Sequence, residues 1–274
     1  MRNFSPTDLA ILYRHIEADD NINPEAALPP GFINFSCSEE TRQACYYMAL
    51  QLLDSYVDNR RFRRLIKAVT RRRAADAEQL TAFRKARTCF KHMRFCCANF
   101  DRRHRYPQHL HLLVVMMGQF QDAIINRQKA KITALGLALL LLLSPAPRRA
   151  LRYRLAAYRP AAERSYRRYL DRENRRLARF LAREPLQGTG KELHKLRKII
   201  SRRVALNDAL RSLQPSAGRD AVSLYLAGLN GMLGEIHDML VSLKTKKLID
   251  YQRHLFTLPN AVTDRLKSFL KSQI

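Results

Sequence analysis

The sequence predicts an all-α protein built on a duplicated helical unit, and three observations carry that expectation. Glycine and proline are scarce, 9 and 11 of 274 residues, whereas an all-β sandwich or barrel needs turn residues every 8–12 positions or so. Apolar residues make up 46% of the chain, enough to exclude disorder, and recur at helical spacing. Two short segments in the first half reappear, in the same order, in the second. The length allows one large domain or two modest ones, at roughly 100–200 residues each.

Ser5-Pro6 supplies an N-cap and a proline at the first helical position, opening a helix to about Glu17. Pro24 to Gly31 is proline-rich and reads as a loop. Ser38-Glu39-Glu40 opens the next helix, through Tyr46, Leu50 and Leu53. Helical patterns then cover 60–75, 78–100, 109–143, 148–183, 190–213, 219–247 and 260–272. The clearest breaks are Ser144-Pro145-Ala146-Pro147 and Gln187-Gly188-Thr189-Gly190. The longest apolar run, Ala134 to Leu143, is about half of what a membrane-spanning helix needs, so a buried core helix is expected and a membrane span is not. No stretch alternates with period 2 between turn signals. The expected organisation is an acidic extension over 1–35, a first repeat over 36–146 and a second over 147–274.

Charge is the strongest compositional signal. The net charge is +26, which implies a polyanionic partner: nucleic acid, anionic lipid or a phosphate polymer. Residues 1–59 carry net −6, 60–105 net +13 and 147–203 net +14, so two blocks hold the excess. Cysteines number five, an odd count with Cys96 and Cys97 adjacent. No cationic n-region followed by an apolar h-region opens the chain. Together these point to a reduced, cytoplasmic protein.

The repeat gives the charge a geometry. Arg84, Arg87, Lys91 and Arg94 occur in one segment, and His194, Arg197, Lys198, Arg202 and Arg203 in the other. Each is followed by a glycine-aspartate piece, Gly118 with Asp122 and Gly234 with Asp238. At 100° per residue the first four cations form a stripe about 80° wide. Ala86, Cys89, Phe90, Met93, Cys96, Cys97 and Phe100 fall on the opposite side. In the second segment Leu196, Ile199, Ile200, Leu206 and Leu210 form the apolar face, and Arg203 falls inside it. Solvated helix faces usually mix Glu with Lys in i,i+4 pairs, but no acidic residue stands between Arg84 and Phe100. Such a row of like charges is better matched by an anion than by water. Gly118 and Gly234 suggest close helix packing, and the aspartates suggest partners that set an arginine rotamer.

These residues resemble the CHAD family, the conserved histidine α-helical domain. Its pattern is a histidine followed by basic residues at i+3, i+7, i+8 and i+10, ahead of an LG-x-x-x-D helix, twice. His194, Arg197 and Arg202 match the second copy. Arg87, Lys91, His92 and Arg94 match the first. The sequence departs from the pattern at Arg84, which replaces the first histidine, and at Ser201 and Val204, which replace basic residues. The resemblance covers roughly 38–274. It implies two pseudo-symmetric four-helix bundles with a basic groove between them. It also implies binding of inorganic polyphosphate and association with polyphosphate granules, with a granule-associated protein as a further partner. Polyphosphate has no bases to stack, so it needs no aromatic platform, and arginine suits it through bidentate phosphate contacts.

No glycine-rich phosphate loop, nucleophile motif or metal-ligand spacing is present, and residues 1–35 lack the Glu-x-Glu-x-Lys run of a triphosphatase module. A binding protein without catalytic residues, metal or cofactor is therefore expected. His104, His109 and His111 read as surface or packing histidines. The rival reading is a helical protein that binds RNA or DNA without sequence specificity. A third is an adaptor, docking through residues 1–35 and Cys45-Tyr46-Tyr47-Met48.

Overall fold

A computed structural model describes residues 3–18, 23 and 25–273. The protein is helical throughout, apart from one two-stranded antiparallel pair among the described residues. It divides into two compact units, Met1–Glu17 with Arg42–Ala161, and Ala18–Thr41 with Ala162–Ile274.

The first unit contains α1 (Pro6–Ala18), most of α2 (Glu39–Tyr56), α3 (Asn59–Arg72), α4 (Ala77–Phe100), α5 (Gln108–Ile125), α6 (Lys129–Leu142) and α7 (Pro145–Ala156). Asp58 caps α3, accepting from the Arg60 and Arg61 amides at 2.8 and 3.0 Å. Asp76 and Gln79 form a reciprocal capping box on α4. Phe62, Phe83, Phe90 and Phe120 form a connected aromatic core, with ring centroids 5.3–6.3 Å apart. Tyr46 stacks on Tyr158 at 3.7 Å and donates to the Leu155 carbonyl at 2.9 Å. Gly136 lets α6 lie directly on α3: a Cβ there would sit 2.0 Å from Thr70 Oγ1.

The second unit contains α8 (Glu163–Leu181), β1 (Gln187–Thr189), α9 (Gly190–Leu213), α10 (Ala217–Thr245), β2 (Leu255–Thr257) and α11 (Asn260–Lys271). Thr189 and Glu192 form the capping box of α9, and β1 pairs with β2, Gly188 opposite Phe256. α9 packs along α10. Their seam buries a polar cluster in which Ser223 donates to Asp208 at 2.8 Å, Arg211 Nε donates to Asp208 at 3.0 Å and Asn207 donates to Ser223 at 2.7 Å.

The expected organisation changes in four places. The helix expected over 109–143 is α5 and α6, split where Arg127 takes a left-handed φ of 52°. The helix expected over 148–183 is α7 and α8, interrupted ahead of Pro160. Ser144–Pro147 is not a boundary between units: the chain turns there from α6 into α7 inside the first unit. Residues 1–35 are not a separate extension. Leu9, Leu12 and Ile16 of α1 are buried in the first unit; Ile33 and Phe35 are buried in the second. The expected loop over 24–31 is irregular where described, with Pro24 outside the described residues. The adaptor segment is likewise largely interior, since Cys45, Tyr46 and Met48 are buried.

Candidate anion-binding site

The two repeat segments lie on α4 and α9, each 24 residues long. At corresponding positions their burial runs in parallel. Arg84 and His194 are exposed, Arg87 and Arg197 are half-buried, and Met93 and Arg203 are buried. The glycine of each second piece faces the arginine of the first. A Cβ at Gly118 would lie 3.2 Å from Arg87 Nη2, and one at Gly234 would lie 2.9 Å from Arg197 Nη2. The expected close packing is therefore a guanidinium seated in the gap a side chain would fill, not backbone against backbone. Burial pushes the Arg197 guanidinium down from the ordinary arginine range, and the Asp238 carboxylate opposes that. Asp238 acts on Arg197 only through its charge; its ion-pair contact is with His237 Nδ1 at 3.0 Å, so it does not set the arginine rotamer by a direct bond.

On α4, Arg94 is built into the fold. Its guanidinium lies 4.9 Å from the Phe95 ring centroid and 5.0 Å from that of Tyr106, and its Nη1 is 3.4 Å from His111 Nδ1. Arg87 and Lys91 are half-buried beside it on the same helix. His92, matched to the family pattern, is buried, and burial pushes its imidazole down to about 3. It contacts Cys96 Sγ at 3.4 Å and is part of the core. His104 Nδ1 and His109 Nε2 lie 3.0 and 3.3 Å from backbone carbonyl oxygens, as packing histidines do.

On α9 the cations separate by neighbour. His194 and Arg197 face α10, where the His194 and His237 rings lie 5.2 Å apart and His237 approaches Tyr251 at 6.1 Å. Lys198 and Arg202 line a cleft of about 530 Å³ against α8. Arg176 and Arg179 of α8, Arg183 just past its C-terminal end and Lys195 of α9 complete its rim, over Phe180, Leu196 and Ile199. Six cations thus converge with one carboxylate, Glu192. The Arg183 guanidinium donates to Glu192 at 2.6 Å and holds that carboxyl down to about 2. Behind the rim sits Glu173, only 2% exposed, which accepts from Arg202 and from Arg176 at 3.2 Å.

Arg203 is the correction to the expected site. It is 1% exposed, donates through Nη2 to the Leu170 carbonyl and Asn174 Oδ1 at 3.0 and 3.1 Å, and lies 5.6 Å from the Phe35 ring centroid. It ties α9 to α8 from within and does not reach a ligand. Arg202 is partly withdrawn too, its side chain 13% exposed and paired with Glu173. Sequence reasoning missed Arg176, Arg179, Arg183 and Lys195. The i, i+3, i+7 spacing of the three arginines was legible, but it lies outside the repeat.

Among the described residues no group of three or more His, Cys, Asp or Glu side chains could hold a metal ion, and no single helix is long and apolar enough to cross a membrane. Comparison with protein-family models, curated proteins and solved structures gives no match.

Proposed function

We propose that the protein binds inorganic polyphosphate, as the resemblance to the CHAD family implies, and that it does so without catalysing a reaction on it. The observation that carries this reading is the α8–α9 cleft, where six cations meet over an apolar floor with a single rim carboxylate. Such a concentration of positive charge against low-dielectric walls focuses the field on a polyanion. The aromatic in the cleft, Phe180, is buried beneath Arg183, whose guanidinium lies 4.9 Å from the ring centroid. The cleft thus lacks the exposed stacking platform that single-stranded nucleic-acid binders use, which favours a polymer of phosphate alone. On this reading the two units are the two halves of a CHAD-like domain with a basic groove. Each unit contributes its own stripe, Arg84, Arg87 and Lys91 on α4 and the cations of α9, and binding carries the protein to polyphosphate granules.

The test is competition at matched phosphate concentration between long-chain polyphosphate and single-stranded RNA or DNA. Polyphosphate should displace nucleic acid at a several-fold lower phosphate concentration. Equal or better competition by nucleic acid would replace this reading with the nucleic-acid one. Neutralising Arg87 with Lys91, or Arg197 with Lys198, should weaken binding with helicity intact, and neutralising the exposed pair Lys246 and Lys247 should not.

A further inference from the structure

The apolar run expected to form a buried core helix does not bury its whole circumference. On α6, Ile132, Gly136 and Leu139 face inward. Ala130, Ala134, Leu137 and Leu141 are all exposed, Leu137 at 60% and Leu141 at 69%. At 100° per residue these four fall within about 60° of one another, so they form one outward apolar strip. α5, which packs against α6, also exposes Leu112 and Val115. α7 leaves α6 at 62° and adds Tyr153, 78% exposed, among exposed Arg149, Arg152 and Arg154.

The segment that carries this strip has charge of one sign, although Asp54 of α2 lies 3.1 Å from Arg152 and Asp122 of α5 is exposed on the same helix as Leu112 and Val115. From Ala123 to Ala162 the chain has no Asp or Glu and eight Lys or Arg. Lys129 and Lys131 stand exposed at the start of α6. A protein partner matching this surface would have to be apolar and acidic at once. An anionic lipid surface offers that combination by construction, with acyl chains beneath negatively charged headgroups. Apolar side chains flanked by lysine and arginine, with an exposed tyrosine, are what surface-lying membrane helices present.

We propose that the α6–α7 face of the first unit docks on anionic membrane surfaces, Leu137 and Leu141 entering the headgroup–acyl boundary and the flanking cations contacting the headgroups. This is peripheral attachment, not a span, and it is independent of the polyphosphate reading.

The chain has no tryptophan, so a single one reports its own surroundings. Leu137→Trp and, as control, Leu224→Trp, placed at an exposed leucine of α10, are mixed with phosphatidylcholine vesicles containing about one third phosphatidylserine. The Leu137→Trp emission should shift to the blue and be quenched by brominated acyl chains, and the Leu224→Trp emission should do neither. Sedimentation with the same vesicles should fall about tenfold in the double variant Leu137→Ser with Leu141→Ser, which keeps every charge. The proposal is overturned if the double variant sediments like the unaltered protein, because surface charge alone then accounts for binding. It is also overturned if both tryptophans respond alike, or if the Leu137→Trp shift appears without lipid and grows with protein concentration, which would make the face a contact between copies.

Discussion

Removing two cations from the rim of the α8–α9 cleft should change how polyphosphate binding responds to salt, by an amount the structure sets. Of the six cations, Arg183 is committed to Glu192, and Arg176 and Arg202 share Glu173. Arg179 and Lys195 are exposed on the rim and have no carboxylate against them among the described residues. Each cation that neutralises a phosphate releases condensed counterions, and for a single-stranded polyanion this contributes about 0.7 to the slope of log K against log salt. The double variant Arg179→Gln with Lys195→Gln should therefore flatten that slope by about 1.4. The assay is fluorescence anisotropy of end-labelled long-chain polyphosphate, titrated at several potassium chloride concentrations. The matched control, Lys246→Gln with Lys247→Gln, removes the same charge from exposed positions outside the cleft. It should leave the slope within error of the original. If both double variants flatten the slope equally, the polymer is held by the diffuse field of a +26 protein, and the cleft is not a site.

Other predictions rest on the interior. Burial holds the His92 imidazole near 3, below its unfolded value of about 6.5. The unfolded chain therefore binds the extra proton as pH falls, and stability is lost below about 6.5. Between pH 7 and pH 5 this amounts to about 2 kcal/mol; urea unfolding followed by circular dichroism should show His92→Gln losing that much less. Alanine at an open helical glycine gains up to about 1 kcal/mol. Gly234→Ala, which must displace the Arg197 guanidinium 2.9 Å away, should gain less than Gly118→Ala, where Arg87 lies at 3.2 Å, as thermal midpoints will show.

The break at Gln187-Gly188-Thr189-Gly190 located the start of α9 well, and the structure closes that start with a capping box of Thr189 and Glu192. Local sequence signals failed between α5 and α6, where the chain reverses through Asn126-Arg127-Gln128 with no glycine or proline to mark it. Arg127 adopts a left-handed φ that arginine seldom takes, so only tertiary packing can have imposed the break. The basic stripes were legible as angles about a helix axis, but an angle does not name the neighbour. The same arc of α9 sends Arg197 toward Gly234 of α10 and Arg202 toward Glu173 of α8. Arg203 fell on an apolar face because it belongs there by position. Its counterpart Met93 is equally buried, and the guanidinium is tolerated because α8 supplies a carbonyl and an amide oxygen.

Glu173 makes stability and binding oppose each other in this cleft. Its carboxylate is 2% exposed and holds Arg202, whose side chain is 13% exposed, together with Arg176. Removing one member of a buried pair generally costs about 3–5 kcal/mol, because the other charge is stranded. Here Arg202 retains a path to the cleft, so Glu173→Gln, which keeps an acceptor oxygen at nearly the same volume, should cost less, about 1–3 kcal/mol. The same change leaves Arg202 and Arg176 without their counter-charge at the wall of the cleft. A phosphate group can then take the place of the lost carboxylate. The variant should unfold at lower urea yet bind polyphosphate more tightly, with a salt slope steeper by up to about 1.4 if both arginines engage. A carboxylate that serves only to build the fold would give the stability loss alone. Unchanged or weaker binding in Glu173→Gln, measured on protein shown to be folded, would mean that polyphosphate does not contact this wall. The cleft's positive charge would then be there to offset Glu173 and Glu192 rather than to recruit a ligand.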